Sequence, residues 1–437
     1  MIYNVKDKVP SGKSLLFALQ IMLSCFTATA LIAQICGVPL SGAFIGAGLA
    51  TLIYSLCTLG KSPMFISNSG AFVVPVLAAL AAGGYTAVVI GGAVTCIVYT
   101  IFGLIFNRIS VDKLYKFMPK VLIGSVTIVI GINLMGFITG YIGDTGNLGV
   151  IIAFITVLAI ALSSHYFKGA LSMFPFLIGT LIGYIVSIPF GLVDFSKFND
   201  IHLFTTPDVA FMHMARVSFV DMIPIIVIYI AFTISAICEC LSDHKVLGNI
   251  IGIDLYKEPG LGRIFVGEGA ANLATSLFGG LGGCSYGESV GAIGFSKCAS
   301  VKVTRIAALM MIMLGFIEPI QAFISSIPSC VIGGGTACIL YGFISSSGIR
   351  VLQEVDLGNQ KNLIICSVVL ALGISGIVIG NDVFSLSGTA LALIAGVILN
   401  LILKENVVTA SDILEGKSCF NSNGDYIVGT FDKTDGE

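Results

Sequence analysis

Glu239 and Glu288 are acidic residues that lie within or beside strongly apolar segments of the sequence. A charged side chain at the centre of a bilayer costs about 2.5–3.5 kcal/mol on insertion scales, so an acid there requires a reason. A carboxylate accepts hydrogen bonds strongly, which suits a ligand with several N–H groups. The two acids therefore predict a binding site for a polar solute. The alternative is that they bond neighbouring helices and hold a bundle together.

Asp243 follows Glu239 by four residues, so the two side chains would lie on one face of a helix. Burial favours the neutral form of a carboxyl group, which makes this pair a candidate for carrying a proton. Asp243 could instead reach water at the end of its apolar segment. His244 is expected at the interface with water, and Glu268 is more typical of a structural acid than of a binding residue.

Other kinds of chemistry are disfavoured by what the sequence lacks. It has no HExxH, GxSxG or P-loop motif, so neither an intramembrane enzyme nor an ATP-driven pump is expected. The 12 cysteines show no metal-ligand spacing and are interpreted as small buried hydrophobes. The net charge of −2 gives no basic surface for nucleic acid. We therefore expect no metal and no cofactor, and energy that comes from an ion gradient or from the solute's own gradient.

The composition indicates that membrane-spanning segments position these acids. The chain is 56% hydrophobic and only 11% charged, whereas a soluble domain carries about 25% charged residues. A span needs about 20 apolar residues. Twelve segments reach that scale: 15–36, 42–59, 84–106, 119–141, 148–166, 170–190, 219–241, 262–281, 302–326, 328–344, 361–380 and 386–404. Two shorter segments, 66–81 and 283–296, are interrupted by Gly, Ser or Pro.

The basic residues favour counting both short segments as spans. With fourteen spans and a cytoplasmic N-terminus, 20 of the 22 Lys and Arg residues face the cytoplasm, and only Lys197 and Arg216 do not. Omitting either short segment would invert the orientation of every later span, so the basic residues would no longer lie mainly on one side of the membrane. The sequence thus predicts an all-α polytopic protein of the cytoplasmic membrane with both termini in the cytoplasm. The first apolar run lacks a cleavage site, so we expect it to be retained.

Fourteen spans divide into two halves of seven with opposite orientation, which is an inverted repeat. The predicted parts are a cytoplasmic N-terminus (1–14), a first repeat (15–190), an extracellular linker (191–218), a second repeat (219–404) and a cytoplasmic tail (405–437). Each half has its broken segment third in order. Paired broken spans are the best sequence indication of a transporter's central site, because they free backbone groups for a solute. We expect a short strand leading into a half-helix in each.

The ordered motifs around these residues resemble the nucleobase transporter family, the uracil/xanthine permeases related to the nucleobase–ascorbate transporters. The resemblance extends over nearly the whole chain. The segments with the most specific match are Glu239–His244, Pro259–Arg263, Ser285–Gly291, Ser69–Phe72 with Pro75, and Tyr341–Arg350.

The resemblance implies two inverted seven-span repeats, with a core domain of spans 1–4 and 8–11, a gate domain of spans 5–7 and 12–14, and strands in spans 3 and 10. It also implies proton coupling, through Glu239 and Asp243, and a homodimer packed through the gate. The substrate-binding residues that it implies are Glu239 and Glu288 for the N–H groups, backbone amides near Phe72 and Gly287 for the carbonyls, and Gly70 and Ser289 beside them.

Three substrate classes stay open at this point. Asp243 stands where uracil-type members often have His, which favours a purine such as xanthine or urate. The context of Glu288, by contrast, is closer to the uracil branch, although Ser289 replaces the usual Asn. An anion transporter of the same fold would need a cationic site, yet spans 3, 8 and 10 offer no Arg or Lys. The sequence therefore favours a proton-coupled uracil importer, with a purine symporter as the alternative.

Overall fold

The computed structural model describes residues 1–106, 119–136, 138, 142, 145–168, 174–199, 201–377, 379–380, 385–386 and 388–403. The first half of the chain contains α1 (Ser11–Cys36), α2 (Leu40–Cys57), β1 (Ile66–Asn68), α3 (Val73–Phe106), α4 (Lys120–Met135), α5 (Gly146–Tyr166) and α6 (Pro175–Ser187). The second half contains α7 (Phe219–Ile251), α8 (Leu261–Ala274), β2 (Gly283–Ser285), α9 (Gly287–Ser296), α10 (Val301–Leu314), α11 (Glu318–Ser325), α12 (Ala337–Leu352), α13 (Gln360–Ile374), β3 (Ile379–Gly380), β4 (Ser385–Leu386) and α14 (Gly388–Ile402).

Several helices are suited to a membrane. Within the described residues, five helical stretches are long and apolar enough to cross one: α1, α2, Gly70–Phe106, α5 and α7. Shorter apolar helices include α6 and α13. The chain is therefore a multi-pass membrane protein. The count of fourteen spans, their inverted repeat and the domain boundaries stay predictions, and the predicted tail (405–437) lies outside the described residues.

The two broken segments meet as an antiparallel pair of strands. Ile66 pairs with Ser285 and Asn68 pairs with Gly283. β1 continues through the short 3₁₀ turn Gly70–Phe72 into α3, and α9 starts two residues after β2. The prediction of a short strand leading into a helix is thus confirmed in both segments. The pairing matters because backbone groups inside a membrane must be satisfied by protein.

A second break separates the two helical pieces of α3. Gly83 has φ −159° and ψ 19°, and Gly84 has φ 61° and ψ −150°. The backbone of Gly84 lies in a region that is essentially restricted to glycine. The break falls between the predicted segments 66–81 and 84–106, so the predicted division of this region is matched by the structure.

Other helix bounds differ from the apolar runs that predicted them. α7 extends to Ile251, where Gly252 ends it with φ 73°, although the apolar run stops at residue 241. The run 302–326 is divided into α10 and α11. The division frees backbone groups that the segment before α7 satisfies, since Thr205 N donates to Phe316 O at 3.0 Å and Phe204 bridges Ile317.

Two sets of helices pack mainly within themselves. In one, α8 lies against α2 and α3, while α10 lies against α1 and α2. In the other, α4 packs against α12 and α13, and α5 against α6. The interior of the first set contains large side chains that are fully buried, among them Phe44, Tyr54, Phe65 and Phe265. The strand pair lies in this first set, so its surroundings are densely packed.

Candidate functional site

A cavity of about 650 Å³ lies where the two strand–helix junctions meet α1, α6, α7 and α12. The residues that line it include Ser24 and Thr27 of α1, Ser69 and Gly70 after β1, Tyr286, Gly287 and Glu288 after β2, Glu239 and Asp243 of α7, and Ser346 and Arg350 of α12. A cleft of this size with a few convergent polar groups is typical of a small-molecule site.

Three carboxyl groups come together on one side of this cavity. Glu239 and Asp243 lie one turn apart on α7, and Glu288 is the second residue of α9. Each of the three is partly exposed. The thiol of Cys284 donates to Glu239 Oε2 at 3.7 Å. The structure thus brings together the two acids predicted to bind a solute and the acid predicted to share a proton.

Backbone donors face the same cavity at two helix starts. α9 begins at Gly287, and its N-cap Tyr286 makes no capping bond with its side chain. The 3₁₀ turn before α3 begins at Gly70, where the Ser69 side chain accepts from Ala71 N at 3.1 Å. The first amides of a helix lack partners within it, and its N-terminus carries partial positive charge. The backbone amides at Gly70 and Gly287 can therefore donate to carbonyl groups of a ligand. They lie beside carboxylates that can accept from the N–H groups of the same ligand.

Backbone amides near Phe72, and Ser289, were also predicted at the site, but neither Phe72 nor Ser289 is among the residues that line the cavity. Phe72 is 1% exposed, and its backbone N–H already donates to Ser69 O at 3.1 Å. Ser289 is fully buried, donates from Oγ to Tyr286 O at 2.7 Å and accepts from Phe65 N at 3.4 Å. Both residues hold the strand–helix junctions in place, because their polar groups are used inside them.

Glu268 and Asn272 hold the edge of β2 that does not pair with β1. They are one turn apart on α8. Glu268 Oε2 accepts from Ser285 N at 3.1 Å, and Asn272 Nδ2 donates to Gly283 O at 2.7 Å. Glu268 is fully buried, and its Oε1 has no partner among the described residues. The sequence analysis expected a structural role for Glu268 but missed Asn272, although an acid and an amide four residues apart in an apolar run were a signal.

Removing the Asn272 amide should weaken β2 directly. We expect Asn272→Leu to lower the free energy of unfolding by about 1–3 kcal/mol, because Gly283 O would be left buried without a donor. Thermal unfolding of the purified protein in detergent measures the loss. Asn249→Leu, which changes an exposed amide on α7, is the matched control. Equal stability of the two variants would contradict this role of Asn272.

His244 does not lie at an interface with water, so that prediction is wrong. It is 1% exposed, and its Nε2 is 2.6 Å from the Tyr54 hydroxyl on α2. The physical reason is the length of α7, which continues for seven residues beyond His244. The residue is therefore enclosed between helices rather than exposed at a helix end.

Arg350 is a second feature of the cavity that sequence reasoning did not assign. It lies one turn after Ser346 on α12, and both line the cavity across from α7 and α9. Arg350 lies outside spans 3, 8 and 10, in which no Arg or Lys was found. The segment Tyr341–Arg350, which belongs to the matched motifs, was the available signal. The cavity therefore combines three acids with one guanidinium group among its described lining residues.

A second cavity of about 580 Å³ lies further along α1 and is lined by Gln34, Ser41 and Glu318. Two polar contacts lie at or beside this second cavity. Gln34 Nε2 donates to Ile324 O at 2.6 Å, and the hydroxyls of Tyr184 and Ser326 are 3.2 Å apart. The two cavities therefore lie along the same helix, α1.

Solved structures with the same fold are membrane transporters. The chain is similar to the transmembrane domain of a cyanobacterium bicarbonate transporter, BicA, with a TM-score of 0.60 and 16% identity over 92% of this chain and 100% of that chain. It is also similar to the murine Solute Carrier 26 family member A9 anion transporter, with a TM-score of 0.66 and 13% identity over 91% and 69% of the two chains. At such identities the likeness shows the fold alone.

Curated relatives are much closer in sequence. The chain is 35% identical to the uracil permease of Bacillus caldolyticus over 95% of this chain and 97% of the relative. It is 33% identical to the uracil permease of Bacillus subtilis (strain 168), covering 91% and 94%. It is 32% identical to that of Escherichia coli (strain K12), covering 92% and 94%. Residues 12–382 match the model of the xanthine/uracil permeases, described as a permease family. This chain therefore belongs to the permease family of the uracil and xanthine permeases, as its motifs predicted.

Proposed function

We propose that this protein is a proton-coupled importer of nucleobases, with uracil as its main substrate. The observation that supports the proposal best is the cavity in which Glu239 and Glu288 lie beside the helix starts at Gly70 and Gly287. Relatives named uracil permease, 32–35% identical over almost the full chain, favour the same substrate.

The donors and acceptors of this cavity are complementary to those of a uracil ring. The ring presents N–H groups next to carbonyl oxygens, so it needs acceptors and donors side by side. Glu239 and Glu288 accept from the N–H groups, and the amides at Gly70 and Gly287 donate to the carbonyls. Ser289 and the Phe72 side chain support this arrangement from behind the cavity wall.

A proton shared between Glu239 and Asp243 supplies the coupling in this proposal. Neutralising the acids lowers the cost of moving the loaded site through a low-dielectric region. One charge moved through 100 mV provides about 2.3 kcal/mol, which corresponds to about fiftyfold accumulation. One proton per base is therefore sufficient for concentrative uptake.

Uptake by proteoliposomes tests the proposal. With an inward proton gradient, we expect labelled uracil to accumulate against its own gradient, and a protonophore to abolish the accumulation. Unlabelled uracil should compete more strongly than xanthine, hypoxanthine, urate or bicarbonate at equal concentration.

Each other outcome identifies a different substrate or energy source. Stronger competition by xanthine or urate would contradict uracil and favour the purine symporter that Asp243 suggested. Competition by bicarbonate alone would favour the anion transporters with the same fold. Uptake that a protonophore leaves unchanged would contradict proton coupling.

A further inference from the structure

A third, much smaller cavity lies between the two larger ones along α1. It shares Thr27 and Leu177 with the cavity that contains the acids. It shares Gln34, Ile327 and Ile332 with the second cavity. From Thr27 to Gln34 the helix rises by about 10 Å. The three cavities therefore form a continuous row, and the small one separates the two larger ones.

The small cavity is a barrier to a polar solute. Its volume is about 40 Å³, which holds about three water molecules and is too small for a six-membered ring with two carbonyl groups. Most of its described lining is apolar, with Phe26, Leu31, Leu181 and Phe323 as the large side chains. A nucleobase in this place would lose hydrogen bonds to water without replacing them. We call the lining of this cavity the apolar barrier.

Both sets of helices contribute to the apolar barrier. Phe26 and Leu31 lie on α1, which packs with α10 in the first set, and Leu177 and Leu181 lie on α6, which packs with α5 in the second. A displacement of one set relative to the other would therefore widen the barrier.

Tyr184 of α6 makes a hydrogen bond that holds these two sides together. Its hydroxyl lies 3.2 Å from Ser326 Oγ, directly after α11. Ser326 Oγ donates its proton to Phe323 O at 2.7 Å, so the Tyr184 hydroxyl is the donor to Ser326. The Tyr184 and Phe323 rings are also in edge-on contact, with centroids 5.1 Å apart. Since Gln34 Nε2 holds Ile324 O at 2.6 Å, the bond of Tyr184 connects α6 to a segment that is fixed to α1.

We propose that Tyr184 is a gating residue for transport. Its hydrogen bond to Ser326 keeps the apolar barrier closed, and this bond breaks when a base passes between the substrate cavity and the second cavity. The inference rests on the base transport proposed above and adds the route that the base takes. The simpler alternative is that the bond only stabilises the fold.

A cysteine within the barrier reports its opening. Ala30 lines the small cavity and is 4% exposed, so the thiol of Ala30→Cys should react slowly with a water-soluble maleimide that is too large for the closed barrier. Adding Tyr184→Phe keeps the ring but removes the hydrogen bond. We expect the labelling rate to rise about twofold to tenfold, because the open form becomes more populated. The mass of the peptide that carries residue 30 measures the rate.

Two further variants separate a broken bond from a loosened fold. Ser326→Ala should raise the labelling rate as Tyr184→Phe does, and the double variant should add nothing, because both changes remove one bond. Tyr229→Phe is the matched control, since the buried Tyr229 hydroxyl has no partner among the described residues, and it should leave the rate unchanged. Cys298, a cysteine between α9 and α10 that is 1% exposed, should stay unlabelled in every variant.

The labelled protein tests whether the route passes through the barrier. After complete labelling, Ala30→Cys should lose counterflow exchange of labelled for unlabelled uracil, whereas the thermal shift caused by added uracil should remain. Unchanged labelling in Tyr184→Phe, labelling of Cys298 in parallel with residue 30, or full exchange by the labelled protein would each overturn the proposal. Rapid labelling of Ala30→Cys alone would show that the barrier is open. Because labelling uses no base, an unlabelled protein that fails to exchange uracil would refute the proposed function instead.

Discussion

Glu239→Gln is expected to abolish concentrative uptake while the protein still folds. Gln has nearly the same shape, but it replaces an acceptor-only group by one that also donates, and it cannot carry a proton. A hydrogen bond to a charged group contributes about 1.5–3 kcal/mol, so binding of the base should weaken roughly tenfold to 150-fold. Labelled uptake measures the first effect, and the thermal shift caused by added base measures the second.

The control for this substitution lies on the same helix. Asp221 is exposed near the start of α7, so Asp221→Asn makes the same chemical change far from the cavity. It should leave uptake and binding unchanged. A Glu239→Gln variant that accumulates base against a gradient as well as the parent does would contradict the role assigned to Glu239.

Gly283→Ala is expected to disturb the strand pair and with it the site. A Cβ atom on Gly283 would lie 2.7 Å from Thr275 Cγ2, 2.8 Å from Thr275 Oγ1 and 3.1 Å from Ser67 O. Thr275 and Ser67 are fully buried, so neither can move aside freely. Overpacking of this kind costs about 1–3 kcal/mol. Because β2 leads directly to Gly287 and Glu288, base binding should fall together with the unfolding temperature.

Gly342→Ala is the matched substitution outside the strand pair. No described heavy atom lies within 4 Å of a Cβ atom at Gly342, which is inside α12. Ala is favoured over Gly in a helix by about 1 kcal/mol, so this variant should be at least as stable as the parent. Equal binding and equal unfolding temperatures for the two variants would show that the strand pair tolerates displacement.

The sequence was most informative where it violated the rules for a span. Segments 66–81 and 283–296 are too short and too rich in Gly and Ser for an ordinary helix, and both proved to contain a strand. Glu239 and Glu288 could be assigned to one cavity because acids in apolar runs need a shared environment. Both predictions rest on composition and on the occurrence of one interrupted segment in each half of the chain. Neither depends on the direction of a side chain.

Predictions that depended on direction or on helix ends were less successful. His244 was placed at an interface because the apolar run ends near residue 241, but backbone bonding carries α7 to Ile251. Ser289 and Phe72 belong to the matched motifs and are not among the residues that line the cavity, so their part in binding stays a prediction. The homodimer and the proton coupling stay predictions, because neither is set by contacts within one chain.

The pairing of β1 with β2 also sets an order of events during synthesis. Ile66 and Ser285 are about 220 residues apart, so β1 is made long before its partner exists. At about 5–20 residues per second, roughly 10–40 s pass before β2 is translated. Through that interval the edge of β1 has no strand beside it, and the cavity lacks the lining residues that follow β2. The nascent first half therefore needs another partner for the unpaired backbone groups of β1 within the membrane until β2 is made.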